Sequence, residues 1–86
     1  MKIVFHRNFK QQYKKLRASE RKKCDERIAL FMQDQRHPAI NNHALSGRFK
    51  NYRSINITGD LRAFYEAADQ DTVLFIIIDT HSNLYS

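Results

Sequence analysis

The run "TVLFIII" at positions 72–78 constrains the fold more than any other stretch of the chain. Its β-branched and aromatic side chains favour an extended backbone. It is apolar on both faces, so it is expected as a central strand with cover on each side. It is far too short to cross a bilayer. Partners for it are read from alternation. In "YRSINIT" (52–58), Ile55 and Ile57 point one way, and Tyr52, Ser54 and Asn56 the other. In "LRAFYEA" (61–67), Leu61, Ala63 and Tyr65 oppose Arg62, Phe64 and Glu66. Gly59-Asp60 and "DQD" (69–71) mark the turns between them. "KIVF" (2–5) reads as one more short buried strand.

Between the first strand and the others the period changes to helical. Phe9, Tyr13 and Leu16 fall at i, i+4 and i+7, with Asn8 as the expected cap. Ser19 is the expected cap of a second helix, with Glu20 in its positive first turn and Cys24, Ile28, Phe31 and Met32 on its apolar side. Pro38 stops it. A polar loop over 37–51 follows, long for so small a chain and therefore a candidate for function. The expected fold class is α+β, in the order β-α-α-β-β-β. One domain over 1–86 holds a four-stranded, mostly antiparallel sheet with a helical hairpin packed on one face. Phe9, Tyr13, Phe31 and Cys24 are expected in the core, and His6 and His37 on the surface. The other face of the sheet is expected to be open and to show Ser54, Asn56 and Arg62.

Composition narrows the class. The chain has 86 residues, 42% of them hydrophobic, with two Gly and one Pro, which argues for one packed domain rather than disorder. A single cysteine cannot form an internal disulfide, and the first apolar run is too short for a signal peptide. A cytoplasmic protein with no membrane partner is expected. The net charge is +6, but it is uneven. Residues 1–36 hold eleven Lys/Arg against four acids, and the rest hold four against five. Such a basic half attracts polyanions, although a basic helical face is often simply solvated.

The candidate chemistry lies in "HALSGRFKNYRSINI" (43–57) and in the ending "DTHSNLYS". The first puts His43, Arg48 and Lys50 directly before a strand that itself carries Arg53; the second carries His81 and Tyr85. RNA cleavage through the ribose 2′-hydroxyl needs a base near the 2′-oxygen and an acid near the departing 5′-oxygen. It also needs donors for the charge that develops on phosphorus. Imidazole suits the first two roles and the guanidinium fork the third. Each residue has a plainer explanation. A histidine in a polar loop is commonly just solvated, Gly-Asp is common in hairpins for backbone reasons, and Arg62 can pair with Glu66 along one strand face. No Gly-rich phosphate loop, Ser-centred elbow or compact metal-ligand spacing is present, and no cofactor is expected.

Together, the element order, the stretch "H-x-L-x-G-x-[WF]-K-x-Y-R" and the ending "THS-x-L-[FY]" resemble the YafQ branch of the RelE/ParE toxin superfamily, over essentially the whole chain. The resemblance implies a small bacterial toxin that cleaves messenger RNA at the ribosome, held in check by an acidic cognate antitoxin. Operator DNA is a further partner through the toxin–antitoxin complex. It also implies site roles. His43 and His81 match the family's loop and C-terminal histidines, and are the acid–base candidates. Asp60 matches its turn aspartate, and Tyr85 its C-terminal aromatic. Arg48, Lys50, Arg53, Asn56 and Arg62 are the substrate-binding candidates. Two positions depart from the pattern: Asn56 stands where the family has a histidine, and Leu61 where it has a tryptophan. An amide hydrogen-bonds but does not exchange a proton near neutral pH. Two rival readings therefore remain. One is a ParE-like gyrase poison, which would not need the histidines. The other is a weakened member that mainly binds its antitoxin.

Overall fold

The computed structural model describes residues 1–85. Strand β1 (Lys2–Phe5) leads into α1 (Arg7–Lys14) and α2 (Ala18–Gln33). Then follow β2 (His43–Ala44), β3 (Arg53–Asn56), β4 (Leu61–Ala67), β5 (Thr72–Thr80) and α3 (His81–Tyr85). They build one sheet in the order β1-β5-β4-β3-β2. β1 runs parallel to β5, and every other pair is antiparallel. The doubly apolar run is thus interior to the sheet.

The alternation read from sequence decides which side chains meet the helices. Ile55, Ile57, Leu61, Ala63 and Tyr65 are buried in one core with Phe9, Cys24, Ile28 and Phe31 from the helices. Phe75 is the centre of it, with ring centroids of Tyr65, Phe31 and Phe9 at 5.3, 5.6 and 5.8 Å. Burial pushes the Cys24 thiol pKa up to about 12, and the side chain packs as a small hydrophobe.

A bulge in β5 re-aims its second half. Phe64 pairs with Ile77 and Tyr65 with Phe75, which leaves Ile76 as the extra residue. Phe75 and Ile78 are therefore both buried in the core although they stand three positions apart. Beyond β1, the edge of β5 is closed by side chains of α1. Asn8 Nδ2 donates to the Ile76 carbonyl at 3.0 Å, and the Ile78 N–H donates to Gln12 Oε1 at 3.0 Å.

Several expectations are corrected. The sheet has five strands, because the loop 37–51 contains the two-residue β2. The same loop also holds two 3-10 turns, Pro38–Ile40 and Gly47–Phe49. Ile40 is fully buried and anchors the loop to the core. Asn8 does not cap α1: His6 does, its Nδ1 accepting the Asn8 N–H at 3.0 Å. α2 begins at Ala18, and Glu20 reaches back to accept the Arg17 N–H at 2.9 Å, so Ser19 is not its cap. His37 is a second histidine cap, accepting from the Ala39 N–H at 3.0 Å. The far face of the sheet is not open throughout. Phe64 is fully buried there, against Phe49 at 5.0 Å and Tyr85 at 6.3 Å. The ending expected as a tail is α3, with Leu84 buried; Ser86, its last letter in the sequence, lies outside the described residues.

Candidate functional site

The far face is built from two cross-strand rows. His43 pairs with Ser54, Ser54 with Phe64, and Phe64 with Ile77. Two residues along, Asn56 pairs with Arg62, and Arg62 with Asp79. Paired residues share a face, so His43, Asn56 and Arg62 project to the side that α3 covers in part.

His43 stands on the edge strand and is exposed. Its Nδ1 lies 2.8 Å from the Asn41 carbonyl oxygen. A carbonyl only accepts, so Nδ1 is the donor of this bond, and in the neutral ring Nε2 then holds the lone pair. Asn41 supplies that carbonyl from the left-handed region, at φ 45°, which asparagine tolerates better than most residues.

His81 opens α3. Its backbone N–H donates to the Asp60 carbonyl at 2.8 Å, which ties the helix to the β3–β4 turn. One turn on, Tyr85 lies with its ring centroid 4.6 Å from that of His81. Arg48 donates from Nη2 to the Leu84 carbonyl at 2.8 Å, and its guanidinium stands 4.7 Å above the Phe49 ring. The loop and the C-terminal helix therefore hold each other in place.

The remaining candidates divide. Arg62 does not pair with Glu66; its Nη1 donates to the carbonyls of Thr58, Gly59 and Leu61, closing the turn that carries Asp60. The Asp60 carboxylate is exposed, and its N–H donates to Thr58 Oγ1 at 3.2 Å. Asn56 Oδ1 and Ser54 Oγ are buried without a hydrogen-bond partner among the described residues. Lys50 is exposed beside the loop turn. Arg53 belongs to the opposite side by parity: its Nε donates to Asn42 Oδ1 at 2.9 Å, on the wall of a cleft of about 920 Å3. Leu61, at the tryptophan position of the pattern, is core at 2% exposed.

The structure thus brings His81, Tyr85, Asp60, Arg48 and Phe49 into one cluster. His43 shares their face but stands apart, since β3 and β4 lie between β2 and β5, roughly 14 Å of sheet width at ordinary strand spacing. Sequence reasoning missed Asn42 and Phe49. Asn42 Nδ2 donates to Tyr65 Oη at 2.8 Å and to the Gln35 carbonyl at 3.1 Å, pinning the entry to β2 and so the place of His43. Its only signal was the pair Asn41-Asn42 directly before His43. Among the described residues, no group of three His, Cys, Asp or Glu is placed to hold a metal ion.

A family model described as "Bacterial toxin of type II toxin-antitoxin system, YafQ" matches residues 1–86. Among curated proteins no sequence matches. Solved structures share the fold. A YoeB/ParE toxin from Agrobacterium tumefaciens is 20% identical, with a TM-score of 0.77 over 94% of this chain and 99% of that one. YafQ from E. coli is 19% identical, with a TM-score of 0.77 over 98% and 97%. The toxin of the E. coli DinJ–YafQ toxin–antitoxin complex is 20% identical, with a TM-score of 0.75 over 98% and 96%.

Proposed function

The chain belongs to the YafQ family of toxins of type II toxin–antitoxin systems, and from that premise we propose that it cleaves messenger RNA on the ribosome by attack of a ribose 2′-hydroxyl on the adjacent phosphate. The observation that carries this reading is the hydrogen bond from His43 Nδ1 to the Asn41 carbonyl at 2.8 Å. It presents Nε2 as a ready proton acceptor on an exposed face. His43 takes the proton of the attacking 2′-hydroxyl, leaving a 2′,3′-cyclic phosphate on one product. His81 gives a proton to the departing 5′-oxygen of the other. Arg48, Lys50 and Arg62 supply positive charge to the phosphate, and Tyr85, which is 48% exposed, offers its ring to a base. The 2′- and 5′-oxygens flank one phosphorus, so the reading requires the ribosome-bound state to bring both rings within hydrogen-bond reach of the same phosphate, closer than the roughly 14 Å of sheet between their strands.

The working partners in this reading are the ribosome with its messenger RNA and an acidic cognate antitoxin, with operator DNA engaged through the complex. The place of action is the cytoplasm; among the described residues no helix is long and apolar enough to cross a membrane. One observation favours a second reading, of a weakened member that chiefly binds its antitoxin. Asn56 cannot exchange a proton near neutral pH, and its Oδ1, beside Arg62, is buried without a partner among the described residues. Primer extension on transcripts after induced expression separates the readings. Discrete cuts within coding regions are expected. Intact transcripts with normal growth would favour the weakened toxin, and intact transcripts with trapped gyrase a ParE-like poison.

A further inference from the structure

We infer that the Ser54 hydroxyl is a positioning group for His43. On the ribosome the imidazole leaves the Asn41 carbonyl, its Nδ1–H donates to Ser54 Oγ instead, and the ring moves inward along the sheet. This inference rests on the reading of His43 as the group that takes the 2′-hydroxyl proton. Ser54 is 1% exposed, and its Oγ has no hydrogen-bond partner among the described residues. Among those residues it is also the only buried polar one. A hydroxyl closed off from water without a partner is rare, because the unmade bond is costly. It therefore points to a partner that arrives in another state of the protein.

The register names that partner. Ser54 is the direct cross-strand neighbour of His43 on one side and of Phe64 on the other, and all three project to the face that carries the candidate chemistry. The Phe64 side chain has no polar atom, which leaves His43. Side chains directly opposite across an antiparallel pair have Cβ atoms about 5 Å apart, so one rotation about χ1 brings the imidazole within hydrogen-bond reach. His43 is exposed, and its ring is free to take another staggered rotamer.

The exchange leaves no group unsatisfied. The carbonyl that loses the ring belongs to Asn41, an exposed residue, where water replaces the donor. Both bonds use Nδ1–H, so the lone pair of the neutral ring stays on Nε2. The base keeps its tautomer while its position changes. Ser54 lies on the β4 side of His43, so the rotation carries the ring toward His81. The gain is about one strand spacing of 4.8 Å, roughly a third of the sheet width between the strands of the two histidines. Once Nε2 has taken the proton, Ser54 Oγ accepts from an imidazolium, and a bond to a charged donor is stronger than one to a neutral donor.

The test is a double-mutant cycle of Ser54→Ala and His43→Ala, read as single-turnover cleavage of messenger RNA on programmed ribosomes, with urea titration of each variant. Ser54→Ala is expected to lower the maximal rate about tenfold, the size of one hydrogen bond to a charged group, with the toxin concentration at half-maximal rate unchanged. In the His43→Ala background the same change is expected to cost less than about twofold. The urea midpoint of Ser54→Ala is expected to equal or exceed that of wild type, because a methyl group replaces a hydroxyl that has no partner in the free protein. A lower midpoint together with a lower rate would make Ser54 a structural residue and overturn the inference. So would a tenfold loss in both backgrounds, which would mean that the hydroxyl acts without His43. Wild-type toxin that leaves messenger RNA intact would overturn it together with the nuclease reading, whereas cleavage indifferent to Ser54→Ala overturns the positioning role alone.

Discussion

The His81 N–H donates to the Asp60 carbonyl at 2.8 Å, so the turn aspartate holds the C-terminal histidine through its backbone and not through its carboxylate. Asp60→Asn preserves that bond. Single-turnover cleavage by Asp60→Asn is expected to stay within about threefold of wild type. A loss of two decades or more would show that the carboxylate itself takes part in proton transfer.

Arg48 joins the loop to α3 through the Leu84 carbonyl and covers Phe49. Arg48→Ala is expected to destabilise the fold by about 1 kcal/mol in urea titration, the usual size for one partly exposed charge-assisted hydrogen bond. Faster amide exchange is expected across residues 81–85, with the β4–β5 pairing unchanged. Uniform exchange in wild type and variant would mean that Leu84 and Tyr85 hold the helix by packing alone.

Acid should act on the start of α2. Glu20 accepts the Arg17 N–H, and that bond lowers its pKa below the ordinary 4.5. A depressed carboxylate contributes stability above its unfolded pKa and loses it as pH falls through the folded value. Wild type is therefore expected to exceed Glu20→Gln in urea midpoint at pH 7, and the gap should close as the pH falls from 4.5 through the lowered folded pKa. A gap independent of pH would assign the difference to helix propensity instead.

Asn56 is the direct neighbour of Arg62 across β3 and β4, with its Oδ1 unpartnered among the described residues. Asn56→His restores an imidazole on the face that carries the chemistry. Cleavage is expected to rise about a hundredfold, the low end of what one positioned acid or base contributes. An unchanged rate in a folded variant would place the proton transfers wholly on His43 and His81.

The fold was largely legible because its strongest signals are periodic. The run at 72–78 announced an interior strand, and the parity of Ile55, Ile57, Leu61, Ala63 and Tyr65 announced the core face. The Asn56–Arg62 pair on the far side follows from the same parity. What stayed illegible depends on single side chains acting at a distance in sequence. Histidine is a rare helix cap, so Asn8 and Ser19 outranked His6 and Arg17. β2 is too short to show alternation, and Asn42 fixes it through Tyr65 and Gln35, contacts no local pattern encodes. The bulge at Ile76 lies in a uniformly apolar run, where one extra residue leaves no trace in the hydropathy. Of the site, the shared face of His43 and His81 could be anticipated from topology. The anchoring of α3 on Phe64 by Tyr85 and on Arg48 by Leu84 could not, since "HSNLYS" carries no helical repeat long enough to read.

The central claim is proton transfer by the two histidines during attack of the 2′-hydroxyl. The most direct measurement is single-turnover cleavage of messenger RNA on programmed ribosomes by wild type, His43→Ala and His81→Ala, with the product ends identified. Wild type is expected to leave a 2′,3′-cyclic phosphate and a 5′-hydroxyl, and each variant to lose roughly two to four decades in rate while remaining folded. Folded variants that cut as fast as wild type, or products bearing a 5′-phosphate, would contradict it.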